Sequence, residues 1–345
     1  MPWGLIAGLY SPDIAVDTGS GTTRVHVAGR GLVLSEPSVL ALRRPEAGGD
    51  IIGAGEDVRE LLWKAPGSLI AHRPIQNGTI ADPDLAAVMM KLFIERAVGH
   101  RRLFRARPRA VVGVPAGLTQ VEKAAFGHTF YGAGCRDVFL VERPRAASVA
   151  LGLPRREPRG VMLVGIGRDL VEVSVVSMAS IVVEKSLRGG GAEIDRAITR
   201  HVRTTYNLLV GEATAERVKK QHVSIHPGED VRFEVRGRDL ITNLPNTVTV
   251  TSFEIAEAVM PVAERIAGLV SEVLAEVSPE IAGDLIDVGV ILLGEGALLD
   301  GLVSFLSERT GLPVKLAEDP GNVIVRGAGI MCEDLSTFGA ALERA

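Results

Sequence analysis

An α/β class follows from three properties of the sequence. The chain has 345 residues, room for roughly two domains of about 150 residues each. Of these, 46% are hydrophobic with a mean hydropathy of +0.23, enough apolar surface for two packed cores. Only 4% are aromatic, so the cores must be filled by Ala, Val, Leu and Ile, as in helix-covered parallel or mixed sheets rather than β-sandwiches. The same figures exclude disordered and fibrous chains.

The elements support this class in order along the chain. Asp13 to Val16 reads as a short strand, Asp17-Thr18-Gly19-Ser20-Gly21 as a break, and Thr23 to Val27 as a second strand in which Val25 and Val27 alternate against Arg24 and His26. The arrangement recurs 148 residues later. Val161 to Val164 is an apolar strand, Gly165-Ile166-Gly167-Arg168 a turn, Val171 to Val175 an alternating strand, and Ile181 to Ser186 a further one. The repeat suggests a duplicated domain with a hairpin at the start of each half, the alternative being a chance match of two glycine turns. Asp82-Pro83 makes an N-cap and first-turn pair, with Leu85, Val88, Met89, Leu92 and Phe93 following at helical spacing. Thr251 and Glu254 make a capping box ahead of Ile255, Val259, Val262, Ile266, Leu269 and Val273. Both apolar faces read as core. Between about 196 and 250 polar residues, Pro and Gly increase, and Phe233 to Val235 and Val248 to Val250 read as short strands of a smaller α+β insert.

Charge and cysteine usage narrow the function classes. With 38 basic and 42 acidic residues the formal charge is −4, so no chain-wide basic field exists to hold nucleic acid. Cys135 and Cys332 cannot build a disulfide framework; a single bridge stays open, and reduced thiols in a cytoplasmic protein are expected. Met1 to Tyr10 is apolar but lacks the basic start of a signal peptide. No run reaches the roughly 18 apolar residues of a spanning helix, so a protein that is soluble, or lies on a membrane without crossing it, is expected.

Gly19 and Gly21 allow a tight turn that brings N–H groups close to a phosphate. Ser20, Thr22 and Thr23 add hydroxyls, and Asp17 at the strand end could hold Mg²⁺ through water. Taken alone, the pattern reads equally as a plain hairpin turn.

Its surroundings add to it. The run Asp17 to Thr23, then Gly31-Leu-Val-Leu-Ser-Glu-Pro-Ser-Val39, Arg73-Pro74 and Gly78-Thr-Ile-Ala-Asp82 resemble the MreB/Mbl family of bacterial actin homologues. So do Val114-Pro-Ala-Gly-Leu-Thr-Gln-Val-Glu-Lys123, Tyr206-Asn-Leu-Leu-Val-Gly-Glu-Ala-Thr-Ala-Glu-Arg217, Gly294-Glu-Gly-Ala-Leu-Leu299, Gly311-Leu-Pro-Val and Ala317-Glu-Asp-Pro320. These segments span about 13 to 332 in the family's order. The resemblance implies an actin-like fold: two duplicated ribonuclease-H-like domains around a nucleotide cleft, each with a smaller inserted subdomain. Domain I would comprise 1–142 and 325–345 with its insert at 28–80; domain II would comprise 143–324 with its insert at 190–250. It also implies a cytoplasmic protein peripheral to the inner face of the cell membrane, which self-assembles, as antiparallel double filaments in the family, and organises cell-wall (peptidoglycan) synthesis with its enzymes and membrane adaptors.

The nucleotide positions carried over are Asp17, Gly19, Ser20, Gly21, Thr22, Thr23, Gly167, Gly190, Gly191, Glu216, Lys219, Gly294, Gly296 and Ala297, with ATP and Mg²⁺ as the implied ligands. Several neighbours depart from the family's pattern. Its second phosphate loop, Asp-Ile-Gly-Gly-Gly-Thr-Thr-Glu, is here Gly165-Ile166-Gly167-Arg168-Asp169-Leu170-Val171-Glu172, so side chains fill space that bare backbone would need and Asp169 places a negative charge beside a polyanion. The family's Ile-Glu-Glu-Pro is here Val141-Glu142-Arg143-Pro144. The glutamate that would orient or deprotonate the attacking water is therefore Arg143, which cannot accept a proton; Glu142 should point elsewhere. Arg143 reads either as an ion pair or as a phosphate clamp. Gly190-Gly191-Ala192-Glu193 has lost the family's Asp, and Gly294-Glu295-Gly296 has gained bulk and charge, whereas Glu216 and Lys219 are retained. Weakened nucleotide binding and impaired hydrolysis are expected, with a fully active ATPase and a nonpolymerising scaffold as the alternatives.

Outside these positions, Arg101-Arg102-Leu103-Phe104-Arg105-Ala106-Arg107-Pro108-Arg109 reads as a loop whose Leu103 and Phe104 enter an anionic membrane surface, or as an ordinary solvated basic loop. His222 and His226 read as a solvated pair rather than metal ligands, and Cys135 as a packing thiol. Resemblance assigns the helix around Val121 to Phe126 to lateral filament contacts, against simple core burial of Phe126.

Overall fold

The computed structural model describes residues 12–44, 49–65, 67–99 and 107–345. The chain divides into two compact units, Met1–Arg155 with Asn322–Ala345, and Arg156–Gly321.

In the first unit, β1 (Ile14–Thr18), β2 (Thr22–Val27) and β3 (Gly31–Pro37) form an antiparallel meander. A small sheet of β4 (Leu40–Arg43), β5 (Ile51–Ala54) and β6 (Leu69–His72) with the helix Asp57–Lys64 follows, then a short hairpin of β7 (Ile75–Gln76) and β8 (Thr79–Ile80). β9 (Arg109–Val114) and β10 (Asp137–Glu142) lie parallel beside β1, and the strand Glu343–Arg344 closes the edge at β10. Alternation along β1 explains why it is buried on both faces. Ile14 and Val16 enter a core with Met89, Phe93, Phe126 and Phe130 from the helices Pro83–Val98 and Gln120–Gly132, while Ala15 packs with Ala146, Ala328 and Met331. Asp82 caps the first of these helices, accepting from the Leu85 amide at 3.1 Å. β3 stays in the main sheet, so the inserted small sheet starts at β4 rather than at 28.

The second unit repeats the first. β11 (Val161–Ile166), β12 (Leu170–Ser177) and β13 (Ser180–Arg188) are again an antiparallel meander. β14 (Leu208–Leu209), β15 (Arg232–Asp239) and β16 (Pro245–Thr251) form a small sheet, and β17 (Val290–Leu293) and β18 (Val314–Leu316) lie parallel beside β11. The order β13-β12-β11-β17-β18 matches β3-β2-β1-β9-β10, with the same sense at each pairing, as a duplication requires. β11 runs through Ile166, so the turn comprises 167–169 and not Gly165 to Arg168. Here the 190–250 segment has no separate core: Ile194 and Ile198 of the helix Gly191–Tyr206 and Phe233 and Val235 of β15 share one cluster with Met162, Val164 and Val171. Thr251 and Glu254 make the reciprocal capping box of the helix Ser252–Leu274.

The division falls at 155/156 and 321/322 rather than at 142/143 and 324/325. The helices Arg143–Ala150 and Val323–Glu333 pack together beneath β1, so both belong to the first unit.

Candidate functional site

In the first unit the chain reverses between β1 and β2 over Gly19-Ser20-Gly21. The Gly19 amide donates to the Thr22 carbonyl at 3.1 Å, and a Cβ on Gly19 would stand 2.6 Å from that oxygen, which is why this position is glycine. Ser38 organises the turn: its hydroxyl donates to the Gly19 carbonyl at 2.5 Å and lies 2.8 Å from Thr23 Oγ1, while its amide donates to the Gly21 carbonyl at 2.9 Å. Arg73 Nη1 lies 3.5 Å from the Ser20 carbonyl. In a trans peptide the N–H points opposite the carbonyl. The amides of Ser20 and Gly21 therefore turn away from these partners, and among the described residues neither donates a hydrogen bond within the protein. Two successive undonated amides beside a glycine make a cradle suited to an anion.

Asp17, the residue before the last of β1, is buried. Its Oδ1 lies 3.5 Å from Arg143 Nε, and Arg143 Nη2 donates to the Thr18 carbonyl at 3.0 Å. Arg143 reaches this place because it opens the helix Arg143–Ala150 directly after β10. Arg24, also buried, stands opposite Asp17 in the β1–β2 register. Arg143 is thus an ion-pair partner of Asp17, and Glu142 is turned to Arg145 Nε at 2.7 Å. The group about Asp17 does not fit Mg²⁺. The guanidinium already on the carboxylate offsets the attraction that Asp17 alone would offer a divalent ion.

In the second unit the Gly167 amide donates to the Leu170 carbonyl at 2.9 Å, the same turn. Its carbonyls are used differently. Those of Gly167 and Arg168 accept from the Gly191 and Ala192 amides at 3.0 and 2.9 Å, and that of Asp169 accepts from Gly189 at 2.9 Å. The start of the helix Gly191–Tyr206 thus spends two amides on the hairpin. Gly190, at φ 140°, packs against the Gly167 carbonyl with no room for a Cβ. Arg168 Nη2 donates to Glu212 at 2.6 Å, and its Nε lies 3.4 Å from Asp169 Oδ1, so the charge of Asp169 is met locally.

The remaining cofactor candidates of this unit are also engaged. Lys219 Nζ donates to the Gly191 carbonyl at 3.1 Å and lies 2.8 Å from Asp195 Oδ1. Burial outweighs the Lys219 ammonium and holds the Asp195 carboxyl above the ordinary carboxylate range. Glu216 pairs with Lys220 at 2.8 Å, and that hydrogen bond keeps its carboxyl below the ordinary range. Gly294, whose amide donates to the Pro320 carbonyl at 2.8 Å, and Gly296 both pack on Ile166. Ala297 is buried, its amide 3.2 Å from the Gly294 carbonyl.

Other candidates resolve as follows. Leu103 and Phe104 lie outside the described residues. Cys135 and Cys332 are free and buried, and burial pushes each thiol up to about 12. Phe126 is in the core while Val121 on the same helix is exposed. The helix Glu212–His222 ends before His226; His222 stacks on Phe233 at 4.1 Å. Sequence reasoning missed Ser38, Arg24 and Asp195. Asp195 carried a readable signal, an acid next to Ile194 on the apolar stripe of its helix, whereas Ser38 carried none.

The chain matches the family model described as MreB/Mbl protein over residues 11–339. It is 42% identical over 341 residues to the cell shape-determining protein MreB of Escherichia coli (strain K12), covering 97% of each chain. With the cell shape-determining protein Mbl of Bacillus subtilis (strain 168) it shares 36% identity, covering 95% of this chain and 97% of that protein. Among solved structures it resembles MreB 5 of Spiroplasma citri bound to AMPPNP, with a TM-score of 0.87 and 27% identity over 95% and 97% of the two chains. The MamK double helical filament, at TM-score 0.74 and 19% identity over 93% and 99%, shares the fold.

Proposed function

Because this chain belongs to the MreB/Mbl family of bacterial actin homologues, we propose that it is a filament-forming cytoskeletal protein of cell shape whose first hairpin takes nucleotide and whose hydrolysis is impaired. The observation that carries the reading is Arg143, held on Asp17 and the Thr18 carbonyl where the family's glutamate would stand. Activating a water for attack on phosphorus needs a proton acceptor within hydrogen-bond reach, and a guanidinium offers only donors. The Ser20 and Gly21 amides supply the binding half of the chemistry, and a nucleoside triphosphate would bring the anionic charge they meet. That the Spiroplasma relative is bound to AMPPNP supports the binding of a nucleotide.

Self-association is supported by an exposed apolar tip, Leu240, Ile241 and Leu244, between β15 and β16, with Ile241 79% exposed. Contact with an anionic membrane surface through Leu103 and Phe104, and service to the cell-wall synthesis machinery at the inner face of the membrane, complete the proposal. They rest on the sequence of residues 101–109 and on the family. No helix among the described residues is long and apolar enough to cross a membrane.

The test is phosphate release from ATP and Mg²⁺ by the full chain, beside Escherichia coli MreB. A lost general base predicts a rate lower by about a hundredfold or more, with Arg143→Glu recovering part of it. Turnover equal to that of the relative and abolished by Asp17→Ala would overturn the hydrolysis part. Filaments are checked by sedimentation, which Ile241→Ser with Leu244→Ser is expected to reduce.

A further inference from the structure

Ser38 directly follows β3, at the passage from the main sheet to the small one, and is fully buried. It holds the first hairpin twice, its amide donating to the Gly21 carbonyl at 2.9 Å and its hydroxyl to the Gly19 carbonyl at 2.5 Å. A hydroxyl has one hydrogen to donate. Because that of Ser38 goes to a carbonyl, which can only accept, the 2.8 Å contact between Ser38 Oγ and Thr23 Oγ1 is donated by Thr23. The two hydroxyls therefore form a directed chain from Thr23 through Ser38 to the Gly19 carbonyl. Thr23 is fully buried as well, so its hydroxyl has neither a hydrogen left for a phosphate nor the exposure to reach one.

The chain ends on the peptide between Gly19 and Ser20. The carbonyl of that unit accepts from Ser38, and its N–H is the Ser20 amide, which donates no hydrogen bond among the described residues. A hydrogen bond accepted by a peptide carbonyl polarises the unit and strengthens its N–H as a donor, and bonds in a chain reinforce one another. The second unit bonds the corresponding carbonyl too, since that of Gly167 accepts from the Gly191 amide at 3.0 Å. A helix start does there what a single hydroxyl does in the first unit.

We propose that Ser38 is a positioning residue of the nucleotide seat: its hydroxyl fixes the Gly19–Ser20 peptide and strengthens the Ser20 amide as a donor to a phosphate oxygen, and Thr23 serves the seat only through Ser38. This role rests on the reading of the first hairpin as that seat. Neither hydroxyl touches the nucleotide.

The experiment is calorimetric titration of the full-length protein with ATP and Mg²⁺, repeated on Ser38→Ala, Ser38→Cys, Thr23→Val and the double substitution Ser38→Ala with Thr23→Val, each beside its urea midpoint. Ser38→Ala is expected to weaken ATP binding by about three- to tenfold, the effect of one hydrogen bond. Thr23→Val, of nearly the same shape, is expected to weaken it by about twofold, and the double substitution to bind as Ser38→Ala alone does. Ser38→Cys fills the same space with a weak donor, so it is expected to lose affinity as Ser38→Ala does, and it carries the test if the alanine does not fold. A folded Ser38→Ala that binds as the unaltered protein does, with only its urea midpoint lowered, overturns the role of Ser38 and leaves the nucleotide seat standing. Ser38→Cys binding as tightly as the unaltered protein assigns the effect to filled space and overturns the role of the hydroxyl. Losses that multiply in the double substitution give Thr23 a contact of its own with the nucleotide and overturn the chain. No binding of ATP by the unaltered protein overturns the seat and the inference together.

Discussion

The hairpins at the starts of the two units share a turn and differ in what they do with it. Gly19 bonds Thr22 and Gly167 bonds Leu170 in the same way, 148 residues apart. In the first, the carbonyls are gathered by Ser38 and Arg73, and the Ser20 and Gly21 amides donate no hydrogen bond among the described residues. In the second, the carbonyls are gathered by the start of a helix, and Arg168 and Asp169 fill the tip with an ion pair that also reaches Glu212. The turn belongs to the duplicated fold. The capacity to meet a phosphate belongs to the few side chains around it, and the two copies have diverged there.

The largest expected effects break the turns themselves. At Gly190 an added Cβ meets the Gly167 carbonyl, at a backbone conformation that other residues rarely adopt. Gly190→Ala should cost about 2–4 kcal/mol, read as a lowered urea midpoint. Gly19→Ala places Cβ 2.6 Å from the Thr22 oxygen, whereas Gly167→Ala leaves 3.1 Å to Leu170. The first should therefore cost more than the second, by about 1 kcal/mol. Equal costs would show that the two turns relax alike and that the difference between the hairpins is confined to side chains.

The next effect is on binding. If Arg168 and Asp169 are what separate the second hairpin from the first, the double substitution Arg168→Gly with Asp169→Gly should strengthen ATP binding by about tenfold, measured by calorimetry in Mg²⁺. Unchanged affinity would show that the amides spent on the helix start, rather than the tip side chains, disable this copy.

Most of the fold was legible because it is written in local patterns. The two hairpins, the Asp82 cap and the Thr251–Glu254 box each depend on residues three or four apart. Unit boundaries were not: the helix Arg143–Ala150 joins the first unit through packing against residues near 328, which no local window contains. The site was half legible. The glycines and Asp17 stand where the turn needs them, and Arg143 was visible as a departure, but its partner was not, since 126 positions separate it from Asp17. Gly294 and Gly296 read as ligand-facing, yet their close neighbour is Ile166. A glycine's reason for being small is a fact of packing and cannot be read from its flanks.

The smallest effect compares one carboxylate from each unit, and its sign is the test. In the first, Glu333 is held below the ordinary 4.5 by His26 Nε2 at 3.0 Å and the Gly29 amide at 2.9 Å. Its stabilising contribution is present above the unfolded value and is lost as pH falls through the lower folded one. In the second, Asp195 is held above the ordinary 3.8 by burial, which Lys219 only partly offsets. The native state then binds the proton more tightly than the unfolded chain, so Asp195 contributes more at low pH and less as pH rises through its raised folded value. Urea titrations between neutral pH and the acid limit should thus show opposite trends. The stability lost in Glu333→Gln shrinks on acidification, by less than about 1 kcal/mol because the pair is half exposed and screened. The difference between the unaltered protein and Asp195→Asn instead moves in favour of the unaltered protein. Parallel trends would mean that Lys219, not burial, governs Asp195, and that the second hairpin keeps a charged lysine–aspartate pair at its back.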